Sequence, residues 1–225
     1  MLRELAPDLW VTEQPLHFLG ADVGARMSVI RLREGELFLH SPISLSSELR
    51  GELEALGTVR FAVAPNRFHH LFIGEYAAAY PKLELFAAPG LETKRRDVVW
   101  HGVLGDEAPS GWAGQLDQLF FRGFPLANEV VFLHPPSRTL LITDLAFNIR
   151  EDSPPATRFA YKLLGAYGRF GPSLLERVLI RDRPAARASL EGILGWDFDR
   201  VIMAHGRVLA GGGREALRAG YAWLL

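Results

Sequence analysis

"VRFAVAPNRFHH", Val59 to His70, is the stretch on which the reading of this fold turns. Val59 to Pro65 is apolar apart from Arg60, the pattern of a strand buried inside a sheet. A Pro-Asn turn follows, and then two adjacent histidines, His69 and His70. Asn66 is a good helix cap, so a helix is expected from there to about Tyr80, where Pro81 stops it. At 100° per residue Phe68, Phe72, Tyr76 and Ala79 share one face of that helix, with His69 at its edge and His70 well off it. In a first helical turn the dipole disfavours imidazolium, and neutral imidazole is the form that binds metal. The pair therefore reads as ligands rather than as core.

The neighbouring segments supply the rest of an α/β layer. Ala25 to Leu32 and Glu36 to Ile43 are β-rich runs across an Arg-Glu-Gly turn, which predicts a hairpin. Ser44 to Gly57 has Ser46 or Ser47 as an N-cap, helical spacing of Leu49, Leu53 and Leu56, and a glycine stop. Leu83 to Pro89 reads as a further short strand. Strand, helix, strand, helix, strand points to buried parallel strands. The middle of the chain changes character. "DVVWHGVL" (97–104), "DQLFFRGF" (117–124), "NEVVFLH" (128–134) and "TLLITD" (139–144) are four strand candidates without a helix between them. Helices return over Pro155 to about Tyr167 and Arg183 to about Leu194. A strand over Asp199 to His205 precedes a closing helix, "REALRAGYAWLL". No repeat, low-complexity segment or linker divides the chain, so a single domain over 1–225 is expected.

Two more strands end on a metal-capable residue: Asp144 after "TLLIT" and His205 after "RVIMA". In sheets flanked by helices, ligands bind just beyond the carboxyl ends of strands. Singly, a histidine or aspartate there is more often a hydrogen-bonded structural residue or a turn former. Composition narrows the chemistry. There are no cysteines, so disulfides, iron–sulfur clusters and thiolate zinc sites are excluded. A net charge of −1 gives no basic face for nucleic acid. The basic run Lys94-Arg95-Arg96 is followed at once by Asp97 and reads as a solvated loop. With no signal-like or membrane-spanning apolar stretch, the chain is expected to be cytoplasmic, without a nucleic-acid or membrane partner.

This order of elements and polar positions resembles the metallo-β-lactamase superfamily over nearly the whole chain. The resemblance implies an α/β fold of four layers, an αββα sandwich with metals between the sheet edges. The superfamily motif H-x-H-x-D-H follows an apolar strand. Aligned on "PNRFHH", its first two histidines are replaced by Pro65 and Arg67, its Asp by His69, and its last His is kept as His70. No histidine stands in "FRGFPLANEVVF", where another ligand would fall. "LLITDL" and "VIMAHG" resemble the segments that supply the bridging acid and the final histidine, here Asp144 and His205. The pattern is most similar to a bacterial branch that carries a family-of-unknown-function label.

The resemblance implies that a three-histidine metal site is lost, while the positions of the second site still hold His69, His70, Asp144 and His205. Such a set suits one divalent ion, zinc first, with iron or manganese as alternatives. All four residues on a tetrahedral zinc would close the site. If His69 swings away, three ligands leave an open position and His69 becomes a general base. His40, at the end of a strand on the same rim, is either an orienting neighbour of a ligand or a turn histidine. Glu129 is a base or a spare ligand, and Arg67 either binds an anionic substrate group or pairs with Asp144. The expected function is a mononuclear metal-dependent hydrolase of an ester, thioester or phosphoester. The alternative is a non-catalytic relative, without a required metal, that binds a small molecule or a protein. Substrate and oligomeric state are not legible.

Overall fold

A computed structural model describes residues 1–18 and 20–225. The chain runs through β1 (Arg3–Ala6), β2 (Leu9–Gln14), a ribbon of β3 (His17–Phe18) and β4 (Ala21–Asp22), and β5 (Ala25–Arg31). Then come β6 (Glu36–His40), α1 (Ser47–Leu56), β7 (Thr58–Ala64), α2 (Ile73–Ala79), β8 (Glu84–Ala87), α3 (Leu91–Lys94) and β9 (Gly102–Val103). The second half holds β10 (Asp117–Phe120), β11 (Val130–His134), β12 (Thr139–Leu141), α4 (Pro155–Leu163), α5 (Leu174–Leu179), α6 (Arg183–Leu194), β13 (Arg200–Ile202) and α7 (Gly213–Gly220).

The strands form a seven-stranded sheet, β1-β2-β5-β6-β7-β8-β9, and a four-stranded sheet, β10-β11-β12-β13. Alternation of side chains along each strand builds the layers. Phe38, Phe61, Val63 and Phe86 of the first sheet meet Val130, Phe132, Leu141 and Ile202 of the second in one buried core. Their sequence neighbours point the other way. Leu37, Leu39, Ala62 and Leu85 pack against Leu49 and Leu53 of α1 and Ile73 and Tyr76 of α2. Val131, Leu133, Leu140 and Val201 pack against Leu190, Ile193 and Leu194 of α6 and Leu217 of α7. Two sheets face to face with helices outside are the expected αββα sandwich. Trp112 fills the inter-sheet core edge-on to Phe38, Phe61 and Phe86, with centroids 4.8–5.4 Å apart.

Several boundaries differ from the sequence expectation. α2 begins at Ile73, not at Asn66. The Asn66 side chain accepts from the N–H groups of Phe68 and His69, at 2.9 and 2.8 Å, and so caps a turn instead of a helix. The two histidines therefore sit in a turn that precedes the helix, and the dipole argument for them lapses. Of "DVVWHGVL" only Gly102–Val103 pairs as a strand. α4 stops at Leu163, short of Tyr167, where Gly165 adopts a left-handed φ of 65°. α5 was not foreseen, although Ser173 and Glu176 form a full capping box at its start.

A candidate metal centre at the strand ends

The rim where the site lies is set by strand register. β12 and β13 run parallel with Leu141 opposite Ile202. Asp144 and His205 each follow those partners by the same three residues, so they arrive at the same level. β6 and β7 end beside them, and Val130 N–H to Pro65 O (2.8 Å) and Arg67 N–H to Ala127 O (2.8 Å) tie the two sheets together there.

His69, Asp144 and His205 converge, with one ligand atom from each lying within 4.8 Å of the others. His69 Nε2 is 3.4 Å from Asp144 Oδ2, and His205 Nε2 is 3.3 Å from Asp144 Oδ1. Each imidazole is oriented from behind. His69 Nδ1 is 2.8 Å from the Ser41 hydroxyl. His205 Nδ1 is 2.9 Å from Gly24 O and 3.2 Å from Val23 O. Two carbonyls accept only from an N–H, so Nδ1 of His205 carries a proton and its Nε2 is the nitrogen that faces Asp144. Phe147 stacks on the His205 ring at 5.8 Å.

Asp144 is held on all sides. The amide of Asn66 donates to its Oδ2 at 2.6 Å and to Thr143 Oγ1 at 2.9 Å. Glu129, wholly buried, accepts the Thr143 N–H at 2.6 Å and the Asp144 N–H at 2.8 Å. Burial opposes ionisation of Asp144, but His69 and His205 outweigh it and hold the carboxyl below the usual range. Burial also works against protonation of His205, yet the bond to Asp144 raises its pKa. Glu129 is pushed up to about 7 by burial and then by the Asp144 charge.

The remaining sequence candidates fall outside the cluster. His70 is turned away, its Nδ1 2.9 Å from the Arg95 guanidinium, and burial with Lys94 and Arg95 lowers its pKa to about 4. The four-residue set is therefore not assembled, and it is His70 that departs, not His69. Arg67 donates to Pro125 O at 3.1 Å and does not pair with Asp144. Glu129 is no exposed base, because its oxygens are committed to backbone N–H groups. His40 is buried beside Phe132, with its Nε2 lacking a hydrogen-bond partner, and burial followed by His69 lowers its pKa to about 3. Asn66, read as a helix cap in preference to an oxyanion donor, joins the histidine turn to Asp144. A cavity of about 470 Å³ lies beside this cluster, lined by Val23, Gly24, Arg26 and Gly206 but by none of the three converging residues.

Solved structures share this architecture. A metallo-β-lactamase from Pontibacter korlensis superposes with a TM-score of 0.67 at 14% identity, covering 100% of this chain and 98% of that one. The metallo-β-lactamase FIM-1 from Pseudomonas aeruginosa, in its mono-zinc form, gives 0.64 at 10% identity, covering 100% and 92%. The metal-soaked flavodiiron core of Flv1 from Synechocystis sp. PCC6803 gives 0.67 at 14% identity, covering 100% and 60%. At these identities the likeness establishes the metallo-β-lactamase fold. No curated protein matches the chain by sequence. Residues 7–167, more than half of the chain, match the family model described as a domain of unknown function (DUF4336), and the chain belongs to that family.

Proposed function

We propose that the protein is a metal-dependent hydrolase with one divalent ion held by His69, Asp144 and His205. The observation that carries this is the facing of imidazole nitrogens and carboxylate oxygens. The His205 Nε2 faces a carboxylate oxygen 3.3 Å away, an arrangement that a proton on Nε2 satisfies and that a divalent ion satisfies when the ring is neutral. Two ligand atoms about 2.0–2.1 Å from a tetrahedral zinc lie roughly 3.3–3.4 Å apart, the spacing found at both Asp144 oxygens. Two imidazoles and a carboxylate also suit zinc, iron or manganese. Their outer partners, Ser41 behind His69 and the Gly24 carbonyl behind His205, are the kind that fix metal-binding tautomers.

A divalent ion held there supplies Lewis-acid chemistry, polarising an oxygen of substrate or water. Three protein ligands leave coordination positions open, the arrangement of catalytic and not of structural sites. The chain's own residues do the positioning. Asn66 and Glu129 fix the Asp144 carboxylate, and Phe147 flanks His205. Ester, thioester and phosphoester bonds are the substrate classes that such a site fits.

The test is hydrolysis of an ester, a thioester and a phosphodiester by protein loaded with zinc, iron or manganese. Turnover of one class is expected, abolished in Asp144→Asn and retained in His70→Ala. Equal background rates for wild type and Asp144→Asn on all three would turn the reading to a binding protein that keeps the fold.

A further inference from the structure

α4 and α5 leave large apolar side chains in solvent. Phe159 (65% exposed) and Leu163 (69%) lie one turn apart on α4, opposite the buried face of Thr157 and Tyr161. On α5, Leu174 (50%), Leu175 (48%) and Val178 (78%) face outward while Glu176 faces in. The two helices are joined. The Leu174 N–H donates to Leu164 O at 2.9 Å, and the Leu174 side chain lies against Gly165. The two helices that carry these exposed apolar groups thus meet at one joint. Exposed apolar surface of this kind marks an interaction site.

The charge of the same segment says what covers it. Residues 155–182 carry five cationic side chains, Arg158, Lys162, Arg169, Arg177 and Arg181, against two acidic ones, the buried Glu176 and the exposed Asp182. That is a net of +3 within a chain whose net charge is −1. Burial and then the nearby Arg177 charge lower the pKa of Arg169. Lys162 and Arg181 are exposed.

We propose that α4 and α5 dock the protein on an anionic lipid surface. Phe159, Leu163 and Val178 enter the interface, and Lys162 and Arg181 meet the headgroup charge. Amphipathic helices with apolar and cationic side chains bind in this way, and each cation near an anionic leaflet adds to the attraction. A second copy of the chain fits less well, because self-pairing would set +3 against +3. A protein partner fits less well too, since the exposed apolar groups include neither Trp nor Tyr, the usual anchors of such interfaces. The docking lies on the surface. No helix among the described residues is long and apolar enough to cross a membrane. This departs from the sequence expectation of no membrane partner, and it does not depend on the hydrolase reading.

The experiment is flotation of the full chain with vesicles of phosphatidylcholine alone and of phosphatidylcholine with equimolar phosphatidylglycerol. Binding is expected to the anionic vesicles only, and to weaken with salt. Phe159→Ser with Val178→Ser, and separately Lys162→Glu with Arg181→Glu, should each lower partitioning on the order of tenfold or more. All four positions lie on the surface, so circular dichroism should be unchanged. Absence of binding to both vesicles, or equal binding by the variants, would overturn the proposal. A dimer lost in Phe159→Ser with Val178→Ser, with no vesicle binding, would assign the patch to self-association instead.

Discussion

At the scale of single residues, the centre depends on Glu129 as much as on the groups that converge. Its two oxygens take the N–H groups of Thr143 and Asp144, and nothing else is placed to accept them. Each buried donor left unsatisfied costs about 1–3 kcal/mol. Glu129→Ala is therefore expected to lower unfolding free energy by at least about 2 kcal/mol, read from urea denaturation. A second expectation concerns pH. His40 is held near 3 in the folded chain against 6.5 when exposed. The folded state then binds fewer protons than the unfolded one between those values, so stability rises with pH across the window. It is present above about 6.5 and lost as pH falls towards 3. Wild type should lose stability on acidification from pH 7 to 5 more steeply than His40→Gln, measured by thermal unfolding. The sequence marked His69 but could not separate it from His70. Adjacent residues in a turn point in different directions, and the partner that captures His70 is Arg95, far along the chain.

At the scale of elements, glycine decides how His205 leaves its strand. Gly206 has φ +84°, and a Cβ there would stand 2.5 Å from the carbonyl oxygen of Asn148. Left-handed backbone costs a side-chain-bearing residue on the order of 1–3 kcal/mol, and the collision is with backbone that cannot rotate away. Gly206→Ala should lower the melting temperature by several degrees, consistent with a loss of about 2 kcal/mol. The "HG" pair was legible through its resemblance to the segment that supplies the superfamily's final histidine, whereas the positive φ of Gly206 is seen only in the structure. Element boundaries were less so. Asn66 carries a cap signal, but its amide is drawn to Asp144 and Thr143 on the other sheet, and the backbone turns before it coils. The strand candidate around Val98 and Trp100 pairs over only Gly102 and Val103, at the sheet edge where apolar letters no longer report pairing.

At the scale of the whole molecule, alternation along buried strands carried the fold. Phe38 between Leu37 and Leu39, and Phe132 between Val131 and Leu133, each assign one face to the inter-sheet core and the other to helices. The fold is shared at 10–14% identity with the solved structures, and an alternating pattern needs residue class and not identity. The site is less legible, since it is assembled from the ends of β7, β12 and β13 and depends on directions that letters do not encode. The metal centre proposed above consists of His69, Asp144 and His205, without His70. Its most direct test is the metal content, by plasma mass spectrometry, of protein incubated with zinc and desalted. One ion per chain is expected in wild type and in His70→Ala, and loss of at least tenfold in affinity in His69→Ala and His205→Ala. No retained metal in wild type, or loss in His70→Ala with retention in His205→Ala, would contradict it.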